Sequence, residues 1–390
     1  SVNTILEMAE YKKTGSCKVL VVTGCMAQRY KNEIIEEVPE VDAVLGTTSY
    51  GDILKAIREA MEGKHFQEFK DIDYLPEKLG KRVLTTGGHF GYLKIAEGCD
   101  KHCTYCIIPK LRGKFRSVPM ERLVTQAKEM AEEGVKELIL VAQETTVYGT
   151  DIYGKKSLHI LLKELCKIKG IRWIRVLYCY PEEIYDELIQ TMKEEKKICH
   201  YLDLPIQHAS DRILKRMGRR TTQAELVEIV NKLRREIPDI VLRTTLISGF
   251  PGETQEDHEE LMSFVDEMEF DRLGVFTYSP EEDTPAATMP DQVAEEVKEA
   301  RRDEIMELQQ EISYDKGTDR IGQELLVMIE GKVADESAYI GRTYGDAPKV
   351  DGYIFVQTGE LLMTGDFAKV RVTGALEYDL IGELADEYTE

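Results

Sequence analysis

Three cysteines stand within eight residues of one another, at the spacing CxxxCxxC. Cys99, Cys103 and Cys106 could each supply a thiolate, and three thiolates on one short loop can hold a 4Fe-4S cube by three of its irons. The fourth iron then stays open and can chelate a ligand that carries adjacent amino and carboxylate groups. A structural zinc site normally has four ligands, often as recurring pairs, and no partner pair stands elsewhere in this sequence. The spacing therefore predicts an iron–sulfur cluster with one open position.

The composition indicates the broad class of protein. The chain has 390 residues, of which 42% are hydrophobic and 32% charged, as in globular proteins of about two or three domains. No apolar run reaches the length that spans a bilayer, which excludes an integral membrane protein. The start of the chain lacks the basic-then-apolar pattern of a signal peptide. We therefore expect a cytoplasmic protein whose cysteines stay reduced.

The net charge is strongly negative and unevenly distributed. The chain holds 51 Lys and Arg against 72 Asp and Glu, which gives −21. This balance argues against nucleic-acid binding through bulk charge, although it is compatible with a local basic groove. Residues 321–390 alone hold five Lys and Arg against 14 Asp and Glu, a net charge of −9.

From Gly91 onward, short apolar strands alternate with amphipathic helices. The predicted strands are Tyr92–Ala96, Glu137–Ala142, Trp173–Tyr178, Tyr201–Pro205, Ile240–Ile247 and Arg272–Thr277. The predicted helices between them include Met120–Glu133, Leu158–Lys167, Glu182–Glu194, Gln223–Arg235 and Gln255–Met268. Strands separated by helices form parallel βαβ units, and six in succession predict an α/β fold with a partial (β/α)6 barrel. An open doubly wound sheet would instead place a glycine-rich phosphate turn where this chain has its cysteines.

The predicted domains are an N-terminal α/β domain at 1–60, a linker with one hairpin at 61–88, the barrel at 89–316 and an all-β module at 317–390. Within the first domain, the pattern predicts helices over 3–13 and Ala27–Glu37 and strands over Lys18–Thr23 and Ala43–Leu45. A long polar helix over Gln292–Tyr314 is predicted to end the barrel domain. The cysteine loop follows the first barrel strand, on the face where barrel enzymes hold their catalytic groups.

The cysteine loop and the strands that follow it resemble the radical S-adenosylmethionine superfamily, from about Gly91 to Tyr314. The resemblance implies that Cys99, Cys103 and Cys106 hold a 4Fe-4S cluster whose open iron binds S-adenosylmethionine. In that superfamily the reduced cluster cleaves the sulfonium and yields a 5′-deoxyadenosyl radical. Tyr105 matches the aromatic residue that packs near the adenine.

The resemblance also suggests further cofactor-binding residues at the barrel strands. Glu144, after the second strand, is the expected acceptor for the amino group of the cofactor, with an exposed strand-end acid as the alternative. Gln207 and Gly249 lie in loops that end the fourth and fifth strands on the predicted catalytic face. Arg243, within a strand, is expected to pair either with the cofactor carboxylate or with an acid of the core. His208 could carry a proton or be a structural histidine.

Three further features are similar to the methylthiotransferase family within this superfamily. Cys25 stands in a GCxxxRY segment like the one that ends the signature of the family's N-terminal domain. The segments Tyr201–Asp211 and Gly249–Thr254 match barrel motifs of the family, and the C-terminal all-β module matches its TRAM domain. The resemblance therefore extends over essentially the whole chain.

The family implies a second, auxiliary 4Fe-4S cluster that takes part in sulfur transfer. Three cysteines of the N-terminal domain hold it, and only Cys25 stands at a matching position here. Cys17 is too close to Cys25 to replace a missing ligand. We therefore expect two clusters in an intact family member, of which this sequence fully encodes one, and we expect the first third to half of the N-terminal domain to be absent.

Within the family, the sequence favours a protein substrate over tRNA. The segments Ala142–Gly149 and Gly341–Gly352 resemble the branch that modifies a ribosomal protein, and the acidic C-terminal module would repel RNA. The resemblance implies methylthiolation of the β-carbon of an aspartate in the twelfth small-subunit ribosomal protein, free or within the ribosome. S-Adenosylmethionine would be both methyl donor and radical source, with a flavodoxin or ferredoxin as electron donor and with no tRNA or membrane partner. The alternatives are a tRNA adenosine methylthiotransferase and, more remotely, a non-catalytic ribosome- or RNA-binding scaffold.

Overall fold

A computed structural model describes residues 2–75, 83–334 and 336–385. The chain divides into two compact units. The first contains residues 1–83, 97–102 and 106–116, and the second contains 84–96, 103–105 and 117–390. The cysteine loop, residues 98–107, therefore contributes residues to both units.

The first unit is a small α/β domain. Its elements are α1 (Val2–Thr14), β1 (Val21–Thr23), α2 (Cys25–Tyr30), α3 (Glu33–Glu37), β2 (Ala43–Leu45), α4 (Ile53–Met61), β3 (Phe66–Glu68) and α5 (Ile108–Arg112). The strands are parallel in the order β1-β2-β3, and Val22, Val44 and Ala27 are buried between the sheet and its helices.

Two expectations for this domain were wrong in detail. The predicted helix over Ala27–Glu37 is interrupted at Lys31, whose φ is 44°, so that two short helices form instead. The segment predicted as a linker with a hairpin contains β3, which pairs in parallel with β2. A parallel partner is distant in sequence and leaves no turn signal, which explains why β3 was missed. Residues 76–82 of that segment lie outside the described residues.

The second unit contains the predicted barrel. Its strands are β4 (Phe90–Lys94), β7 (Glu137–Val141), β8 (Trp173–Val176), β9 (Ile198–Asp203), β10 (Val241–Ser248) and β11 (Arg272–Thr277). Its helices are α6 (Met120–Glu132), α7 (Thr150–Tyr153), α8 (Leu158–Cys166), α9 (Asp186–Glu194), α10 (Asp211–Arg216), α11 (Gln223–Glu236) and α12 (Gln255–Met268). Two short strands, β5 (Ala96–Glu97) and β6 (Arg116–Ser117), flank the cysteine loop in sequence. In the described chain, the six strands are parallel in the order β11-β10-β9-β8-β7-β4, which confirms the partial barrel.

A long helix, α13 (Glu295–Thr318), precedes the C-terminal barrel, as predicted. The strands of the C-terminal barrel are β12 (Glu324–Lys332), β13 (Ala338–Arg342), β14 (Ile354–Gln357), β15 (Phe367–Ala375) and β16 (Leu380–Leu384). They close in the order β12-β13-β14-β16-β15 around Val327, Val356 and Val370, which confirms the all-β module. Among the described residues, no helix combines the length and apolar character that a membrane span requires.

Residues 342–351, the last residue of β13 and the loop after it, contact the amino ends of the strands of the larger barrel; we call them the bridging segment. Arg342 forms an ion pair with Glu137 of β7 at 2.7 Å, and Asp346 forms one with Arg272 of β11 at 2.5 Å. Ala347 lies in the same apolar cluster as Trp173 and Val241. The bridging segment thus covers the end of the barrel formed by the amino ends of its strands. The cysteine loop follows the carboxyl end of the first strand, at the opposite end of the barrel.

Candidate active site

The start of the cysteine loop is fixed within the first unit. Gly98 has a φ of +79°, and a Cβ at this position would overlap the carbonyl oxygens of Gly113 and Lys114. The amide of Cys99 donates to the Gly113 carbonyl at 3.1 Å, and the amide of Phe115 donates to the Asp100 carboxylate at 3.0 Å. Glycine is therefore required immediately before the first cysteine, because the backbone passes so close to residues 113–115.

The middle of the loop is held separately, within the second unit. Thr104 donates from its amide to the Met217 carbonyl at 2.9 Å and from its hydroxyl to the Arg216 carbonyl at 2.8 Å. Its own carbonyl accepts from the amide of Ala286 at 2.9 Å. The neighbouring Cys103 is buried, with its Sγ 3.8 Å from the Tyr180 hydroxyl. The end of α10 and the residues after β8 therefore position the second cysteine.

The thiol groups of the loop suit an iron–sulfur cluster chemically. Cys99 and Cys103 are buried and Cys106 is half-buried, and thiolates are the ligands that such clusters prefer. None of the eight cysteines, all of which lie in the described residues, is in a disulfide. No group of three His, Cys, Asp or Glu side chains in the described chain is gathered closely enough to hold a single metal ion.

Tyr105 lies in an apolar cluster at the carboxyl ends of the barrel strands. Its ring meets that of Phe250 edge-to-face, with the centroids 6.4 Å apart, and the same cluster contains Met217 and Tyr278. The expected position near an adenine stays a prediction. The surroundings suit it, because an apolar wall is the normal setting for a planar base.

Arg219 is a buried cation beside the cysteine loop, and no sequence pattern predicts its position there. Its guanidinium carbon lies 4.3 Å above the centroid of the Tyr180 ring, and Nη2 donates to the Pro205 carbonyl at 3.2 Å. Glu182 completes an ion pair at 3.6 Å. Nε and Nη1 have no hydrogen-bond partner in the described structure, although Arg219 is only 7% exposed.

The charges around Arg219 keep it protonated. Burial by itself would lower the pKa of Arg219, but nearby groups, chief among them Tyr105, Glu182 and Tyr180, outweigh burial and raise it. Cys103 contributes in the same direction. A buried guanidinium with two unused donors is unfavourable unless it meets an anion, so Arg219 is a ready partner for a carboxylate. In the sequence, Arg219 is one of several basic residues around the end of α10, and nothing there distinguishes it.

Arg243 pairs with acids of the core, the second of the two pairings expected from the sequence. Nη1 donates to Asp203 at 2.8 Å, and Nε lies 3.3 Å from Asp351 of the bridging segment. Arg243 also stands five residues before Ser248, the end of β10, which is about 16 Å along a strand. The guanidinium is therefore committed to acids of the core, and the structure does not support its assignment to the cofactor carboxylate.

Glu144 is buried directly after β7, rather than exposed as the alternative interpretation required. Its Oε1 accepts hydrogen bonds from the amide of Thr146, at 2.9 Å, and from the Thr146 hydroxyl. This turn fixes the carboxylate at the carboxyl end of a barrel strand. Its role as acceptor for the amino group of the cofactor stays a prediction.

The loops after the fourth and fifth strands are organised by one carboxylate. Glu253 accepts from the amides of Gly249, at 2.8 Å, and Phe250, at 3.1 Å, and its other oxygen accepts from Arg301 at 2.9 Å. Burial would raise the pKa of Glu253, but the adjacent His208 and Arg301 hold it below its ordinary value. The ring of His208 is fully buried, and its Nδ1 accepts from the amide of Ser210. These contacts favour the structural interpretation of His208.

The predicted cofactor-binding residues in these loops have backbone roles. Gly249 has a φ of +70°, and a Cβ there would overlap the side chain of Lys298. Gln207, with a φ of +73°, donates from its amide to Thr245 at 2.9 Å and accepts from the amide of Ile247 at 2.8 Å. Both residues therefore shape the ends of the strands, and their contact with a cofactor stays a prediction.

Within the first unit, Cys25 contacts a cation. Nε of Arg112 lies 3.1 Å from Sγ of Cys25, and Nη1 lies 3.3 Å from Glu97. Sequence spacing could not reveal this contact, because 87 residues separate Arg112 from Cys25. An arginine beside a cysteine sulfur stabilises negative charge there, as a cluster ligand requires.

Comparisons with known proteins agree with this arrangement. Residues 93–265 match the radical SAM superfamily, 321–385 a TRAM domain and 1–46 the uncharacterized protein family UPF0004. Among solved structures, the cobalamin-dependent S-adenosylmethionine radical enzyme OxsB with aqua-cobalamin bound aligns over 80% of this chain and 45% of its own, with a TM-score of 0.47 and 14% identity. That likeness is too weak to bear on this chain.

The curated relatives are much more similar. The ribosomal protein uS12 methylthiotransferase RimO of Lachnoclostridium phytofermentans is 65% identical over 98% of this chain and 87% of its own length. The protein of the same name from Clostridium perfringens is 53% identical over 99% of this chain and 86% of its own length. The identity to these relatives, together with the radical SAM and TRAM domains, shows that the chain belongs to the RimO family of radical S-adenosylmethionine methylthiotransferases.

Proposed function

We propose that this chain methylthiolates the β-carbon of an aspartate side chain in ribosomal protein uS12, with S-adenosylmethionine as methyl donor and radical source. The observation that carries the proposal is the CxxxCxxC loop after the first barrel strand, in a chain 65% identical to a RimO protein. The names of the relatives do not favour the tRNA alternative, and membership of an enzyme family does not favour a non-catalytic scaffold.

The loop cysteines would hold the 4Fe-4S cluster of the radical chemistry. Cys99, Cys103 and Cys106 supply three thiolates, the donor set of a cube with one open iron. When bound, the cluster and S-adenosylmethionine supply a radical able to remove hydrogen from an unactivated carbon. Tyr105 would contribute an apolar wall for the adenine.

Two further residues would orient the amino-acid end of the cofactor. Glu144 presents a buried carboxylate to the amino group, and Arg219, rather than Arg243, presents two unused donors to the carboxylate. Because both sites are dry, each charged contact is stronger than it would be in water, and the cofactor is held without reorganisation.

Cys25 would be a ligand of an auxiliary cluster, with Arg112 stabilising negative charge on its sulfur. Two clusters are therefore proposed for the working enzyme, of which the loop cluster is fully encoded in this sequence. The domains would follow the predicted boundaries, with the N-terminal domain extended to include β3. We place the enzyme in the cytoplasm, with uS12 free or in the ribosome as substrate, a flavodoxin or ferredoxin as electron donor and no tRNA partner.

Anaerobic reconstitution of the full-length protein with iron and sulfide tests this function. Incubated with S-adenosylmethionine, dithionite and purified uS12, the protein is expected to replace one aspartate hydrogen by a methylthio group, seen by mass spectrometry of uS12 peptides. Methylthiolation of tRNA adenosine without modification of uS12 would establish the alternative. If Cys99→Ala still formed 5′-deoxyadenosine, the assignment of the radical cluster would be wrong.

A further inference from the structure

The inner face of the larger barrel carries a lysine at the carboxyl end of its first strand. Alternate residues of a strand point to opposite faces, and Phe90 and Tyr92 of β4 pack in or against the apolar cluster inside the barrel. Lys94, the last residue of β4, continues this alternation and pairs in register with Val141, which packs against the same cluster. Lys94 is exposed. The barrel interior therefore presents a cation at the end from which the cysteine loop starts.

Two arginines on the same inner face are much less accessible. The side chain of Arg175 is completely buried and donates to Glu137 at 2.8 Å. The side chain of Arg243 is 17% exposed and donates to Asp203 at 2.8 Å. Acids of the core hold both guanidinium groups, so Lys94 is the more accessible cation for a ligand that enters at the carboxyl ends of the strands.

Tyr178, just after β8 at the same end of the barrel, has a backbone conformation that tyrosine rarely adopts. Its φ is 60°, in the left-handed region. Its amide donates to the Asp203 carboxylate at 3.2 Å, and its carbonyl accepts from the amide and the hydroxyl of Thr145, both at 3.0 Å. The side chain is nevertheless 48% exposed. A strained residue that its surroundings hold in place while its side chain stays accessible is typical of a binding site.

Two observations relate Tyr178 to the barrel interior and to the cysteine loop. Burial raises the pKa of Tyr92, and Glu137 and Tyr178 add to the increase, so the Tyr178 phenol lies within electrostatic reach of Tyr92. Two residues further along the chain, the Tyr180 hydroxyl lies 3.8 Å from Sγ of Cys103. Tyr178 is therefore on a short segment that runs from the inner face of the barrel to the second cysteine of the loop.

The chemistry of these side chains suits a carboxylate. A carboxylate that leaves water for the interior of a protein is strongly destabilised unless it meets a cation and hydrogen-bond donors. Lys94 supplies the cation and Tyr178 a hydroxyl donor, whereas the neighbouring Val141 and Leu177 are apolar. An anionic side chain is therefore stabilised at this position, and a neutral one of the same shape is not.

We propose that Lys94 binds the side-chain carboxylate of the substrate aspartate inside the barrel, with Tyr178 as a second donor. The carboxylate is bonded directly to the β-carbon, so fixing the carboxylate restricts where the β-carbon lies and orients it for reaction. The proposal rests on the proposed function, since it names the residues that recognise the reacting side chain. It also explains selectivity, because asparagine has the same shape as aspartate and lacks its charge.

The test compares two forms of labelled uS12, one with its target aspartate and one with asparagine in its place. Fluorescence anisotropy with the reconstituted full-length enzyme gives Kd for each form, and their ratio isolates the contribution of the carboxylate. The wild type is expected to bind the aspartate form about tenfold more tightly, as for a charge-assisted contact. In Lys94→Met this ratio should fall close to one, and Lys94→Arg should retain part of it. Tyr178→Phe, which removes only the hydroxyl, should lower the ratio by a smaller factor.

The matched control is Lys136→Met, which removes the same charge at the amino end of the barrel, directly before β7. Lys136 lies 3.9 Å from Asp366 and its side chain is 40% exposed, so this variant should keep the wild-type ratio. Iron content and formation of 5′-deoxyadenosine are expected to be unchanged in Lys94→Met, because the lysine is not a cluster ligand. Circular dichroism verifies that each variant folds.

The outcomes separate this proposal from the proposed function. A wild-type ratio near one, or the wild-type ratio in Lys94→Met, would overturn the role of Lys94 even if the wild type methylthiolates uS12. Loss of affinity for S-adenosylmethionine in Lys94→Met, with the ratio unchanged, would assign the lysine to the cofactor and overturn the proposal. An unchanged ratio in Tyr178→Phe would remove Tyr178 as the second donor. Failure of the wild type to modify uS12 would overturn the function itself.

Discussion

Arg342 of the C-terminal barrel donates to Glu137 of β7 at 2.7 Å, and both side chains are completely buried. Arg175 donates to the other oxygen of Glu137 at 2.8 Å. Burial would raise the pKa of Glu137, but the two guanidinium groups outweigh burial and keep the pKa below its ordinary value. The two barrels are thus joined by an ionised, fully paired carboxylate in a dry interior.

Removing one member of this network should destabilise the protein strongly. Arg342→Met leaves Glu137 with one cation fewer, and breaking a buried pair in this way costs about 3–5 kcal/mol. The control is Arg371→Met, whose pair with Glu324 lies half exposed on the C-terminal barrel and should contribute about 1 kcal/mol or less. Thermal unfolding followed by circular dichroism measures both, and similar Tm values for the two variants would contradict the prediction.

Arg219 and Arg243 should differ in their effect on the cofactor. Arg219→Met is expected to weaken binding of S-adenosylmethionine to the reconstituted protein by about tenfold or more, because a charge-assisted contact to a carboxylate is lost. Arg243→Gln should lower Tm, since Asp203 and Asp351 lose their partner, and leave cofactor affinity unchanged. Equilibrium dialysis measures the affinity, and the iron content verifies that the cluster is present. Equal cofactor affinity in wild type and Arg219→Met would refute the assignment.

The cysteines should separate into two classes. Cys103→Ala is expected to lose the iron of the loop cluster and abolish formation of 5′-deoxyadenosine, since only two protein thiolates remain. Cys199→Ala should retain the iron and still form 5′-deoxyadenosine, because burial raises the pKa of the Cys199 thiol to about 12 and the side chain packs in the core. Iron analysis and the visible absorption spectrum measure the difference. Iron loss in Cys199→Ala would show that this separation is wrong.

Asp257 should make stability depend on pH. Burial would raise its pKa, but hydrogen bonds from Thr254, Arg212 and Ser210 outweigh burial and lower the pKa to about 2. Because the folded pKa is depressed, the stabilisation is present above the ordinary carboxyl pKa and is lost as pH falls toward 2; it amounts to about 2 kcal/mol at neutral pH.

Asp257→Asn should therefore lower Tm at pH 7, and its difference from the wild type should shrink as pH falls from 5 to 3. The exposed Asp266 of the same helix provides the control, as Asp266→Asn should change Tm little at any pH. Tm measured across this range tests the prediction, and a pH-independent difference for Asp257→Asn would contradict it.

The sequence predicted the barrel strands because their apolar runs and the helical spacing between them are local signals. It predicted the cysteine loop because the CxxxCxxC spacing is also a local signal. It could not decide whether Arg243 pairs with the cofactor carboxylate or with acids of the core, because Asp203 lies on the neighbouring strand β9 and Asp351 is 108 residues away. Arg219 was missed because its significance depends on burial and on Tyr180, which only the folded chain brings together.

The net charge of the C-terminal barrel can be interpreted only with the structure, which shows which of its acids are paired. Asp346 and Asp351 pair with the barrel residues Arg272 and Arg243, so these two charges neutralise internal cations and are not presented to a substrate. Glu330 likewise accepts from Arg342 at 2.7 Å. The part of the charge that reaches solvent therefore belongs to exposed acids such as Glu360, and the total of −9 overstates it.

The bridging segment has a consequence for engineering of the protein. Residues 342–351 fall in the stretch whose resemblance indicated a protein substrate, yet in the structure they contact the amino ends of the barrel strands through Glu137, Arg272 and Arg243. Exchanging the C-terminal barrel for one that lacks the charged residues of this segment would leave their partners in the larger barrel unmatched. A chimera that exchanges the C-terminal barrel should therefore retain this segment and replace only the outer loops.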